Sequence, residues 1–245
     1  DTELGYLNPG NNLVVGSASS TGDVNINTWN LSSKSYNAQI FGKAINLAGI
    51  TMGAGDVTLY AKGGVISTGA ASASNAAGNL TLLSTHGITI DHAITNTGAG
   101  HINMFAGWDG TSGITTPALF DLDDVTLGAT GRDITLGTNG QISSAGTGTS
   151  VLLAATNDFR NTSSSGVTAI SASGGRYLVY STNWTDTNKG GLVAKNMFDA
   201  NYNDNPVSGI TLTGNRFIFS DQANLTITAD NKTSLDNAPA TYSYS

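Results

Sequence analysis

The densest group of reactive side chains lies between Trp108 and Asp124. An indole, a phenyl ring and four carboxylates fall there within a few turns of chain: Trp108, Asp109, Phe120, Asp121, Asp123 and Asp124. An aromatic face beside carboxylates suits a sugar, since the ring covers C–H groups and the carboxylates accept hydroxyl protons. The same residues would serve equally as a loop folded onto its own scaffold. Acid–base cleavage or β-elimination of a polysaccharide asks for more. It needs two carboxylates close together, and a lyase also needs a cation against the developing enolate. Asp121, Asp123 and Asp124 form the only dense acidic cluster, and no Lys or Arg lies between Lys62 and Arg132. No catalytic residue is assigned on this basis. Neither a Gly-x-Ser-x-Gly elbow, a P-loop nor a zinc motif is present.

Metal chemistry is equally thin. His86 and His92 flank Gly87-Ile88-Thr89-Ile90-Asp91, and with period-two alternation Asp91 points away from both, so they read as turn-capping residues. Asp23, Asp56, Asn79 and His101 each follow a glycine and are expected to share one outward column. Such a column could hold Ca²⁺, but the calcium-binding nonapeptide is missing, and Asp or Asn after Gly ordinarily caps a turn. Cysteine is absent, which excludes disulfides and thiolate sites. The expectation is a fold without metal or cofactor. Six Asn-x-Ser/Thr sequons, at Asn30, Asn79, Asn161, Asn183, Asn224 and Asn231, are what a chain this rich in Asn, Ser and Thr produces by chance.

These residues sit on a repeated phrase of glycine, polar, aliphatic, polar, aliphatic. It reads Gly22-Asp23-Val24-Asn25-Ile26, Gly55-Asp56-Val57-Thr58-Leu59, Gly78-Asn79-Leu80-Thr81-Leu82 and Gly100-His101-Ile102-Asn103-Met104, with a looser copy at Gly131-Arg132-Asp133-Ile134-Thr135-Leu136. Alternation with period two marks a strand, and recurrence at this spacing marks a solenoid. The steps between first aliphatics are 33 (57−24), 23 (80−57), 22 (102−80) and 32 (134−102). The two long steps suggest loops inserted into a coil of about 22 residues. A second phrase appears as Ile45-Asn46-Leu47, Val65-Ile66-Ser67, Ile88-Thr89-Ile90, Val125-Thr126-Leu127 and Ile142-Ser143, so each coil holds at least two strands. Val24, Val57, Leu80, Ile102 and Ile134 are expected to form one inward column, with Ile26, Leu59, Leu82, Met104 and Leu136 a second. Asn25, Thr58, Thr81, Asn103 and Thr135 are expected to line the outside.

Composition agrees with an all-β chain. Of 245 residues 31 are Gly, only 11% are charged, and one glutamate stands against sixteen aspartates. Helix surfaces want Glu, Lys and Arg, whereas Thr and β-branched residues suit strands. The net charge of −7, with Lys and Arg scattered singly, argues against nucleic-acid binding.

The organisation reads as parallel β-helix coils over residues 1–173, terminal coils and a closing segment over 174–223, and the start of a truncated β-rich module over 224–245. The closing segment opens with Gly174-Gly175-Arg176-Tyr177-Leu178-Val179-Tyr180-Ser181. The final module carries Ile227-Thr228-Ala229-Asp230-Asn231-Lys232 and Asp236-Asn237-Ala238-Pro239. The coils and these two segments together resemble the haemagglutinin-like β-helical exoproteins that bacteria export by two-partner secretion. The resemblance implies a right-handed parallel β-helix, an extracellular location at the cell surface or in secreted form, and an outer-membrane secretion partner. It implies a non-enzymatic adhesin whose rigid stalk displays loops to a host-cell or bacterial-surface receptor, a glycan or matrix. Two alternatives stay open: a β-helix polysaccharide lyase or hydrolase, and a filament or sheath subunit associating end to end. The candidate ligand surface in any of these is the segment from Trp108 to Asp124.

Overall fold

The computed structural model describes residue 10 and residues 12–114 and 121–223. The chain winds as a parallel β-helix with three strands to a turn. The first turn is β1 (Asn12–Val15), β2 (Val24–Ile26) and β3 (Trp29–Asn30), and the second is β4 (Asn37–Gly42), β5 (Ile45–Leu47) and β6 (Ile50–Thr51). The third is β7 (Val57–Ala61), β8 (Ile66–Thr68) and β9 (Ser72–Ser74), and the fourth is β10 (Leu80–Ser84), β11 (Ile88–Ile90) and β12 (Ile94–Asn96). The fifth is β13 (Ile102–Ala106), β14 (Ile134–Leu136) and β15 (Ile142–Ser144), and the sixth is β16 (Thr149–Ala155), β17 (Phe159–Asn161) and β18 (Ile170–Ala172). β19 (Arg176–Ser181) opens the seventh. β20 (Lys195–Met197) and β21 (Arg216–Phe219) complete the set, and no α-helix occurs among the described residues.

Corresponding strands stack into parallel sheets. The long sheet has nine strands, in the order β1-β4-β7-β10-β13-β16-β19-β21-β20. At the ~4.8 Å spacing of paired strands it spans about 40 Å. A second sheet of six runs from β2 to β17, and a third side consists of β3-β6 followed by β9-β12-β15-β18. Between β6 and β9 side chains replace the backbone ladder: Ile50 N–H donates to Ser72 Oγ at 3.0 Å, and Met52 N–H to Ser74 Oγ at 2.7 Å.

The registers refine the expected columns. Val57, Leu80 and Ile102 do stack, but they continue to Val151 and Tyr177 and are preceded by Ala38 and Leu13. Val24 and Ile134 belong instead to the second sheet, in a column with Ile45, Ile66, Ile88 and Phe159. The same correction moves Ile26 and Leu136 beside Leu47, Ile90 and Asn161. The step from Val24 to Val57 therefore hides a whole turn, β4, whose Asn37-Ala38-Gln39-Ile40 lacks the introductory glycine. Only the step from Ile102 to Ile134 contains an insertion. The Val125-Thr126-Leu127 phrase lies in that insertion and not in a coil strand. β19, placed at the start of the closing segment, is a full member of the long sheet; the winding becomes irregular only after it. The expected module at 224–245 lies outside the described residues.

The phrase itself has a steric and a hydrogen-bonding cause. A Cβ on Gly55 would collide with the Tyr36 carbonyl, one on Gly78 with the Gly55 carbonyl, and one on Gly100 with the Gly78 carbonyl. Successive turns touch backbone to backbone at this corner, and only glycine fits. The residue after each glycine then reaches along the stack. Asp56 N–H donates to Asn37 Oδ1 at 2.9 Å, Asn79 N–H to Asp56 Oδ1 at 2.7 Å, and His101 N–H to Asn79 Oδ1 at 2.8 Å. Each side chain thus satisfies the backbone donor of the turn above. Asp23 is not in this ladder; it precedes β2 on the second corner.

The long sheet is apolar on both faces. Inside, Leu59, Leu82, Met104, Leu153 and Val179 are buried in the helix core. Outside, Phe41, Tyr60, Leu83, Phe105, Ala154, Tyr180 and Ile218 form a column of their own. They are covered by a second cluster built from the insertion and from residues 197–210. Thr58, Thr81 and Asn103 do face outward, but they are buried; Thr81 is 3% exposed and inward Leu80 2%. Each Å² of apolar surface that this second cluster removes from water stabilises the rod by ~25 cal/mol.

Gly78→Ala is expected to cost on the order of 1–3 kcal/mol, because the added methyl must push two turns apart. Gly22 has open space around its Cβ position, so Gly22→Ala should stay within about 0.5 kcal/mol of the parent. Denaturant melts of the two variants test the backbone-contact argument, and equal losses would overturn it.

Candidate functional site

Two irregular segments meet on the outer face of the long sheet. The first, described over residues 107–114 and 121–130, leaves the fifth turn at Gly107, whose φ is 88°. It returns through an antiparallel bridge between Trp108 and Leu127. Trp108 is 0% exposed. Its indole N–H donates to Ser112 O at 2.8 Å, its ring lies 5.5 Å from that of Tyr60, and Lys62 Nζ sits 5.9 Å from its centroid. The ring is committed to roofing the sheet and offers no face to a ligand. Asp109 is exposed, but its Oδ1 accepts from Thr111 N–H, Ser112 N–H and Ser112 Oγ, each at 2.8 Å. Burial pushes its carboxyl up, and these hydrogen bonds outweigh that and hold it below the usual range. Asp121 Oδ1 caps a 3-10 turn, Leu122–Asp124, by accepting Asp123 N–H at 3.0 Å. Asp123 and Asp124 are exposed on that turn. Phe120 lies outside the described residues. The proposed ligand group therefore divides into a structural half, Trp108 with Asp109, and an exposed acidic turn.

The second segment, residues 198–212, crosses back over the sheet and pins the insertion. Tyr202 Oη donates to Leu122 O at 2.6 Å. Asn203 grips Leu127 through both backbone groups, accepting its N–H at 2.9 Å and donating to its C=O at 2.8 Å. Tyr180 Oη donates to Asn205 O at 2.8 Å. Burial raises the phenols of Tyr60 and Tyr177 to about 12 and that of Tyr202 further still, so all three act as neutral donors. Where the segments meet, a cleft of about 330 Å³ opens. Its floor is Thr156, Tyr180 and Thr182, Leu127 forms one wall, and the 201–204 loop with Ser220 forms the other. Sequence reasoning missed this cleft because its parts come from five separate stretches. A smaller cavity of about 80 Å³ lies under Leu122 beside Asp56, His101 and Asn103. Asn103 is 2% exposed and its Oδ1 has no partner among the described residues; ordered water in such a polar cavity would satisfy it.

One further charged group is assembled only by the winding. Arg160 Nε meets Asp133 Oδ2 at 2.7 Å, and its Nη2 meets Asp158 Oδ2 at 3.3 Å. Asp133 is pushed up by burial but held low overall by Arg160, Asp158 N–H and Asn157. Asp158 is raised, chiefly by burial, despite the Asn183 N–H and Arg160. Two carboxylates pushed apart in this way can mark an acid and a base. Asp158, however, is 4% exposed and closed to a polymer, and Asp133 Oδ1 also accepts Asp158 N–H at 3.0 Å, so the group works as a corner ladder. His86 and His92 sit at turns, His86 Nδ1 paired with Thr85 Oγ1 at 3.0 Å and His92 Nδ1 near Thr68 O at 3.3 Å. Among the described residues no three His, Cys, Asp or Glu side chains converge as metal ligands would.

The class of protein these features define is a parallel β-solenoid with one roofed flank. Comparison with protein-family models, with curated proteins and with solved structures returns no match.

Two outcomes follow from the electrostatics. Asp133→Asn is expected to lower stability by about 1–2 kcal/mol through lost charge-assisted hydrogen bonds. Asp158→Asn should be neutral or stabilising, since folding disfavours the Asp158 charge. Thermal melts at pH 7 compare them. His101 is held below its ordinary value of 6.5, chiefly by burial and in spite of Thr147 and Asp56. The unfolded chain therefore binds the proton more readily, and stability is lost as pH falls through the ordinary histidine range. The melting temperature should fall between pH 7.5 and pH 5.5, and His101→Asn should shrink that fall.

Proposed function

We propose that the chain is a rigid, non-enzymatic display element of a bacterial adhesin, working outside the cell and exported through an outer-membrane secretion partner. It would attach to a host-cell or bacterial-surface receptor, a glycan or matrix. The observation that carries the reading is the corner ladder. The amides and the carboxylate that could do chemistry at this corner, Asn37, Asp56 and Asn79, are spent on the backbone of the neighbouring turn, the last of them on His101 N–H. The Asp133–Asp158–Arg160 group is spent in the same way. What departs from the repeat is the flank, where the insertion and the closing segment cover a stiff support, and loops on rigid scaffolds are where recognition concentrates. The resemblance of the coil phrase and of residues 174–181 to exported β-helical haemagglutinins supports the same reading.

The test sets attachment against turnover. The purified chain should bind cultured epithelial cells, bacterial cells or immobilised matrix in a saturable way. It should leave pectate, alginate and hyaluronan uncleaved over long incubation. Cleavage that disappears in Asp121→Ala would establish the lyase or hydrolase alternative. Regular fibres in electron micrographs of the purified chain would establish the filament alternative.

A further inference from the structure

We infer that the cleft between the inserted loop and the closing segment is a binding site for a neutral, hydroxyl-rich sugar unit. The biological purpose of such a site rests on the adhesive reading above; its chemistry rests on the cleft alone.

The argument starts from where the hydroxyl protons go. Thr182 Oγ1 donates to Thr156 O at 3.0 Å, Ser220 Oγ to Thr182 O at 3.3 Å, and Thr156 Oγ1 to Ala129 O at 2.5 Å. With their protons committed to backbone carbonyls, these oxygens can offer only lone pairs. Asp204 adds a carboxylate. Its Oδ2 accepts Asn201 Nδ2 at 2.6 Å, and an ionised carboxylate has room for further donors. Apart from the second amide N–H of Asn201 and of Asn203, these groups are acceptors, and the ligand must bring several donors. Sugar hydroxyls do this, and their C–H faces suit Leu127 and the edges of Tyr180 and Tyr202.

Charge narrows the class. Among the described residues Asp204 is the only charged side chain lining the cleft, and neither Lys nor Arg lines it. A uronate or sialate would meet a like charge with no counter-ion. A polyamine would meet only one carboxylate. A neutral polyol brings no charge of its own to be repelled, and its hydroxyls can donate to the Asp204 carboxylate. Size and stiffness agree: about 330 Å³ lies within the range of small-ligand pockets and admits a sugar ring with part of its neighbour. The walls are already fixed, since Asn203 grips Leu127 on one side and Tyr180 holds Asn205 on the other. Little ordering is left for binding to impose.

The experiment uses the whole chain and saturation-transfer NMR with methyl β-galactoside, methyl α-mannoside, methyl β-glucoside and N-acetylglucosamine, with glucuronate and spermidine as charged probes. At least one neutral sugar should bind, and more tightly than either charged probe. Asp204→Ala should weaken that binding about tenfold or more. Ser220→Tyr, which fills the mouth, should abolish it. Both residues are exposed, so both variants should melt with the parent, and Asn25→Ala on the first turn should bind as the parent does. Binding of no neutral sugar, a preference for spermidine, or binding indifferent to both cleft variants would overturn the inference. Attachment to cells that survives in Ser220→Tyr while no sugar binds removes the cleft and leaves the adhesive reading. Sugar binding without attachment to cells or matrix removes the adhesive reading and leaves the cleft.

Discussion

The structure depends on how closely one turn of backbone can lie on the next. Parallel strands ~4.8 Å apart leave no slack at the corners, where the chain must change direction while its carbonyls face those of its neighbour. At Gly55, Gly78 and Gly100 no side chain fits between turns. Close approach alone would strand backbone donors, because a corner residue is in neither flanking sheet, and a buried unpaired N–H costs as much as a lost hydrogen bond. Asn37, Asp56 and Asn79 remove that cost by accepting those donors. The glycine and the polar residue after it are therefore two halves of one device. Much of the chain's amide and carboxylate chemistry is absorbed by its own backbone.

A second constraint follows from the long sheet. Parallel sheets are stable when covered on both faces. Six short strands of the second sheet need only the helix core, but the long sheet carries Phe41, Tyr60, Leu83 and Phe105 on its outer face. The insertion and the closing segment supply the cover. Trp108 and Tyr202 meet this sheet from two distant stretches of the sequence, packing on Tyr60 and on Phe105 and Tyr180. The irregular parts of the molecule are thus as structural as the regular ones, and the cleft is what remains where two covers fail to merge.

Much of this was legible in the sequence, for reasons that also explain the rest. Alternation of Leu80-Thr81-Leu82 and its relatives marks strands, and the recurrence marks stacking. Alternation cannot say which side of the coil a strand occupies, so Val24 and Ile134 were grouped with Val57 although they line another sheet. The fourth strand escaped because Ala38 has no glycine before it to announce the corner. The outer column had a signal that went unread: Ile40-Phe41, Leu59-Tyr60, Leu82-Leu83 and Met104-Phe105 each place two large apolar residues in succession, which a strand does only when both faces are buried. Trp108, whose residue type suggests a sugar platform, serves this cover instead. The cleft had no local signature, since Thr156, Thr182, Asn201 and Ser220 become neighbours only through the winding.

The pinning contacts give the rod a mechanical asymmetry. In a solenoid each turn touches only its neighbours, so a pull on one end should peel turns off singly, like a thread from a spool. Tyr202 and Asn203 break that rule by tying the closing segment to Leu122 and Leu127, which are anchored in the fifth turn. The tie works as a knot in the thread. The first two turns can be drawn off one at a time under load, whereas the third, tied to the insertion through Tyr60, and all that follow must yield together.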